Sequence, residues 1–229
     1  MKTLLFVLAL LCTNSARAAN NWFQARCEAA MGNTITVLIE KDSTYTIDNS
    51  KSFRALTSLK PQPQSNAFVL GVTRAQGGLS VDTKWSMLRN PLTGQECLAP
   101  KLVVYLHYTP ITIYVGSEFE PGTCAYQEIL AHEMRHLKVY LDHLPKVEAT
   151  VRKALAERFA KKPRYARVGQ GGPALQREIE TTWMPFMKRE LEGAEAKQVG
   201  IDSAEEYARL SRICQGEVQS LIGPVDRTR

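Results

Sequence analysis

The chain has 229 residues, 44% of them hydrophobic and 23% charged, which supplies enough apolar material for a packed core and excludes a low-complexity or unfolded chain. The formal charge of +6 and a pI near 9.1 favour contact with anionic surfaces, but no basic cluster forms a recognisable nucleic-acid motif, so specific nucleic-acid recognition is not expected. The densest basic run, Lys161-Lys162-Pro163-Arg164 with Arg167, lies beside Gly169, Gly171 and Gly172 and reads equally as a solvated, mobile loop or as a binding patch.

The chain opens MKTLLFVLALLCTNSARAANN, with Lys2 before an apolar run from Leu4 to Leu11 and small residues at Ala16 and Ala18. This is the pattern of a secretory signal peptide over residues 1–18, cut after Ala18. Leu11 stands where a lipoprotein signal needs a small residue, so Cys12 is expected to leave with the leader. No other apolar stretch approaches the roughly 20 residues needed to cross a bilayer, so a secreted or periplasmic product without a transmembrane segment is expected. About 210 residues remain, which suits a single domain over 19–229. They carry Cys27, Cys97, Cys124 and Cys214, and an even number of cysteines in an oxidising compartment predicts two disulfides. Three pairings are open. A four-cysteine zinc site is the competing reading, but no two of these cysteines have CxxC-like spacing.

Short β-branched or aromatic runs predict strands at Thr34 to Glu40, Ala67 to Thr73, Leu79 to Trp85, Lys101 to Tyr108 and Ile111 to Val115. Between the first two, Ser50 is placed to cap a short helix bearing Phe53, Leu56 and Leu59, which Pro61 stops. After Pro121-Gly122 the periodicity becomes helical, near 124–144, 146–162, 173–193 and 203–221. The expected fold is α+β: a small, mostly antiparallel sheet in the N-terminal half, followed by a helical half. Residues 163–173 read as a long mobile loop.

The segment CAYQEILAHEMRHLKVYLDH, Cys124 to His143, holds three of the four histidines. Thr123 can cap it, and it contains no Gly or Pro, so His132 and His136 fall one turn apart on an unbroken helix. Tyr126, Leu130, Leu137, Leu141 and Leu144 make an apolar stripe. Glu133 falls inside that stripe, while His132, His136 and His143 line its edge. A carboxylate buried without a partner costs several kcal/mol, so Glu133 needs compensation. In H-E-x-x-H the two imidazoles reach a common zinc and the intervening Glu reaches the water on it. Zinc lowers the pKa of that water from about 15.7 to about 7, and the Glu takes its proton. The bland alternative is a set of half-buried helix residues satisfied by backbone groups, Arg135 or Lys138.

From Cys124 to His136 the sequence resembles the zincin metallopeptidases, in which an H-E-x-x-H helix follows a small sheet. More broadly, the run from KWSMLRNPLTGQEC through ITIYV and TCAYQEILAHEMRH, within residues 27–160, resembles bacterial predicted secreted zinc-dependent proteases. The resemblance implies His132 and His136 as metal ligands and Glu133 as general base, with Zn2+ as the cofactor. Metzincins continue to a Gly and a final His or Asp; here those positions are Val139 and Asp142. Val139 does not favour the left-handed turn, so the helix should continue and carry Asp142 to the far face. His143 lies about 10 Å beyond His136 along the axis, too far for a shared metal on an unbroken helix. Gluzincins take a third ligand from a Glu on a later helix, which leaves Glu148, Glu157, Glu178, Glu180 and Glu190 as candidates.

Other residues invite structural readings: His107 at a strand end, Trp85 and Trp183 in packing, Tyr140 near the apolar stripe. Cys124 is placed to staple the helix to another element, the last helix if its partner is Cys214. The sequence therefore predicts an exported zinc metallohydrolase, a small endopeptidase acting on a peptide or protein substrate or on cell-envelope polymers. The rival is a non-catalytic, disulfide-stapled envelope module that keeps the helix for binding, and a basic surface-binding protein ranks behind both.

Overall fold

A computed structural model of the chain describes residues 21–30, 35–39, 44–59, 68–160 and 162–223. The expected leader, 1–18, and Lys161 lie outside these residues. The fold is α+β. Helix α1 (residues 21–29) is followed by β1 (Ile35–Ile39), β2 (Tyr45–Asp48), α2 (Phe53–Ser58), β3 (Gly71–Asn90) and β4 (Gln95–Val115). The long helix α3 (Cys124–Phe159) leads to β5 (Arg164–Arg167). Then come α4 (Gly171–Glu178), a π-helical turn (Ile179–Trp183), α5 (Met184–Glu192), α6 (Glu195–Gln198), α7 (Ala204–Arg212), a 3-10 turn (Cys214–Gly216) and α8 (Glu217–Ile222). The five strands form one sheet in which β4 pairs with each of the others. The four residues between β3 and β4 are too few for a crossover, so these two strands run antiparallel. β2 runs parallel to β4 (Tyr45 opposite Ile111) and β5 antiparallel (Cys97 opposite Tyr165).

Four expectations are corrected. Residues 71–73 of the first run and all of 79–85 belong to one strand, β3, which passes through Gly77 and Gly78 without a turn; 68–70 lie outside any strand, and Ala67 is outside the described residues. Gly77 faces the Tyr108 ring and Gly78 lies against the His107 ring, where no side chain fits. The runs 101–108 and 111–115 are likewise one strand, β4. α3 continues through Pro145, with Val147, Val151, Leu155 and Phe159 all buried beyond it, and that burial offsets the lost ladder bond. The predicted loop 163–173 contains β5 and the start of α4. β2 was not anticipated, and α2 is capped by Ser52 in place of Ser50.

The described residues gather into two compact units, and no one point of the chain divides them. One draws on the described residues within 21–38, Ser80–Val104 and Ala149–Phe186. Its core includes Phe23 and the Cys27–Cys97 disulfide, with Leu88 packed against them. The buried Glu96 accepts the backbone N–H groups of Gly169 and Gly171. Arg164 pairs with Glu178, so this part of the basic run serves the fold.

The other unit draws on the described residues within Ile39–Leu79, Tyr105–Glu148 and 187–223. Its core joins Phe53, Leu70, Val115, Phe119, Ala125, Ile129, Val218 and Ile222. The Cys124–Cys214 disulfide ties the first residue of α3 to the turn after α7. The two disulfides are thus settled among the three pairings. Closing loops of 70 and 90 residues, each constrains the unfolded chain by about 4 to 5 kcal/mol in the loop-entropy picture. Two disulfides are consistent with an oxidising compartment. Among the described residues, no helix is long and apolar enough to cross a membrane.

Candidate metal centre

α3 starts as expected: Thr123 Oγ1 accepts the Tyr126 N–H. Its buried face carries Ala125, Ile129, His132, Glu133, His136, Leu137, Tyr140, His143 and Leu144. The stripe thus lies nearer Ile129 and Tyr140 than the sequence suggested, with Leu130 and Leu141 only half-buried. His132 and His136 converge, with their Nε2 atoms 3.2 Å apart. Both Nε2 atoms also face Asp202 Oδ1, at 3.3 and 3.2 Å. Asp202 is half-buried in the turn between α6 and α7.

These three donor atoms form a nearly equilateral triangle. Ligands about 2.0 to 2.1 Å from a tetrahedral centre stand about 3.3 to 3.4 Å from one another, so the triangle suits a cation and leaves a fourth position open. His132, His136 and Asp202 are therefore a group able to hold a metal ion. The outer imidazole nitrogens are also engaged: His132 Nδ1 lies 3.2 Å from Glu206 Oε1 and His136 Nδ1 lies 2.7 Å from Gln198 Oε1.

Glu133 is only 3% exposed. Thr73 Oγ1 lies 2.9 Å from both its Oε2 and its main-chain carbonyl oxygen, with one proton to give. Gly71 makes room for the carboxyl group: a Cβ there would stand 2.8 Å from Glu133 Cγ and Oε1. Burial raises the Glu133 pKa, with His136 and His132 pulling the other way. His136 is pushed down by burial, but hydrogen bonding to Asp202 and the charge of Glu133 outweigh this and raise it. Glu206 falls to about 2, chiefly through its hydrogen bond from Arg209. Glu133 and the three donors line one cavity of about 170 Å³, whose apolar wall includes Val69, Leu70, Ile129 and Leu210.

The third donor was missed. Asp202 lies far along the chain from His136, in a turn with no helical or strand period. The available signal was Ser203 followed by Glu206, a capping-box spacing that is realised here, with the Glu206 N–H donating to Ser203 Oγ. None of the five candidate glutamates joins the group. Glu178 pairs with Arg158, Glu180 accepts from Gln176, and Glu190 offers its carbonyl to His143. Glu157 is exposed and Glu148 half-buried.

His143 has a structural place. Its Nε2 donates to the Glu190 carbonyl and its Nδ1 stands 2.7 Å from Lys197 Nζ. Asp142 faces outward and pairs with Lys138, as an unbroken helix requires. Tyr140 packs edge-on against Tyr108 and donates to Glu195. Trp183 packs between Phe159 and Phe186, and Trp85 lies over Gly172. No family model matches the chain, and no curated protein or solved structure matches it significantly.

Proposed function

We propose that this protein is an exported zinc-dependent metallohydrolase of zincin type, a small endopeptidase in which His132, His136 and Asp202 hold the metal and Glu133 is the general base. The observation that carries the reading is the triangle of two imidazole nitrogens and one carboxylate oxygen beside a buried carboxylate, all on one cavity. Two imidazoles and a carboxylate are donors that suit zinc, and three protein ligands leave the open position of a catalytic site. A cation bound there supplies Lewis acidity and makes water a far stronger acid.

The chain's own groups do the rest. Among the described residues a single hydroxyl, that of Thr73, engages the Glu133 carboxylate, which leaves acceptor capacity for a proton from water. Leu70, Ile129 and Leu210 form part of the apolar wall of the cavity. A cavity of about 170 Å³ is below the range of small-molecule sites, roughly 300 to 1,000 Å³, and suits one side chain of a longer substrate. A peptide fits that description. The leader-like N-terminus and the two disulfides support export.

The non-catalytic alternative is favoured where a third ligand is lacking, and in the proposed reading Asp202 takes that place. Metal analysis of the untagged protein, followed by turnover of a peptide library, tests the proposal. About one zinc per chain is expected, lost in His132→Ala and His136→Ala. Glu133→Gln should keep the metal and lose hydrolysis. A metal-replete protein with no Glu133-dependent turnover would restore the binding-module reading.

A further inference from the structure

We propose that Gln198 and Glu206 are positioning residues that fix the tautomers of the two ligand imidazoles, so that the stretch from Gln198 to Glu206 works as a single metal clip. The inference rests on the metal-site reading above. Gln198, Asp202 and Glu206 are spaced four residues apart, but the backbone between them is not one helix. α6 ends at Gln198, the Ile201 N–H turns back to the Gln198 carbonyl, and α7 begins after the Ser203 cap. This broken path places the central residue against both Nε2 atoms and the outer two against one Nδ1 each. An imidazole that donates from Nδ1 offers its lone pair at Nε2, the nitrogen that faces Asp202. One short stretch thereby carries the third donor and both orienting partners.

The two outer residues are themselves anchored. The Gln198 amide accepts at Oε1 from His136 Nδ1 and donates at Nε2 to the His136 carbonyl, so it grips one residue at both ends. Glu206 is gripped by Arg135 and by Arg209, and Arg209 also reaches Glu128 on α3.

Arg135 supplies the competing arrangement. Its Nη2 lies 2.9 Å from His132 Nδ1. A guanidinium only donates, so if His132 accepted from it, the imidazole proton would sit on Nε2 and that nitrogen could not ligate. Arg135 and His132 Nδ1 share Glu206 Oε1 as a common acceptor, and the carboxylate favours the donating Nδ1–H.

The test has two readouts. Long-range ¹⁵N NMR of the chelator-treated protein in mildly alkaline buffer reports the tautomers, and competition with a chromophoric chelator reports zinc affinity. Both His132 and His136 should carry a proton on Nδ1, whatever the state of the Nε2 atoms that face Asp202. Glu206→Ala and Gln198→Ala should each weaken zinc by about 10- to 100-fold, and Glu206→Gln, which keeps an acceptor, should recover much of the loss. Arg135→Ala and Arg209→Gln should leave the tautomers unchanged, which separates orientation of the rings from simple tethering of α7. Thermal melts check folding, and if Glu206→Ala does not fold, Glu206→Gln and Gln198→Ala decide. A His132 or His136 whose Nδ1 carries no proton, or alanine variants that bind zinc like the parent, would overturn the clip. A parent chain that takes up no zinc would instead overturn the metal-site reading, with the tautomer measurement still deciding the orienting roles.

Discussion

Glu96 and Glu133 are both shut away from solvent, at 1% and 3% exposure, and the two units of the chain treat them in opposite ways. Glu96 accepts Gly169 N–H at 2.8 Å and Gly171 N–H at 2.7 Å, with the Arg89 guanidinium 4.0 Å away. Those backbone bonds hold its carboxyl below the ordinary range. Glu133 has the Thr73 hydroxyl, and burial drives its pKa upward. A buried acid whose oxygens are filled by backbone donors is a clasp. One left with spare acceptor capacity beside two converging histidines is the group that the proposed function uses as its base.

Substitutions that treat the two acids alike should therefore separate them. The largest effect is expected for Glu133→Gln, which should lower peptide hydrolysis by about 10² to 10⁴-fold while zinc content and melting temperature hold. Melting without any kinetic loss would break the contrast. Next come the disulfides. Replacing Cys124 and Cys214 by Ser should cost about 2 to 5 kcal/mol of stability and also weaken zinc, because Cys214 follows the α7 segment that carries Glu206. The matching change at Cys27 and Cys97 should destabilise similarly but spare the intrinsic zinc affinity, as chelator competition at a temperature where both variants remain folded would reveal.

A smaller effect is expected for Gly71→Ala. The new Cβ would press on the Glu133 carboxyl and on Ile129 Cγ2 at 2.9 Å, so turnover should fall about 10- to 100-fold for a stability cost of about 1 to 3 kcal/mol. The smallest is a pH effect at Glu96. Its folded pKa is lowered, so its contribution is complete above the unfolded carboxylate value of 4.5 and fades as pH falls through the folded value. Glu96→Gln should lower the melting temperature at neutral pH and flatten this acid-side slope. An identical slope in parent and variant would remove Glu96 from the account.

The helix of the candidate site was legible because H-E-x-x-H is local: one turn fixes the separation of His132 and His136, and the apolar positions around them locate Glu133 on the buried side. Asp202 was not legible, because only tertiary packing brings its turn to α3. The same division runs through the fold. The existence of β1, β3, β4 and α3 followed from periodicity, whereas their continuity did not. Gly77-Gly78 and Pro145 are read locally as breaks, yet a neighbouring ring or continued burial carries the element through. The short strands β2 and β5 have weak patterns of their own and depend on β4 for their pairing.

The most direct test is zinc binding by untagged, chelator-treated protein, comparing the parent chain with Asp202→Ala. About one zinc per chain is expected in the parent and a large loss of affinity in the variant, since two imidazoles alone make an incomplete site. A parent that binds no zinc, or an Asp202→Ala variant that binds it equally well, would contradict the account.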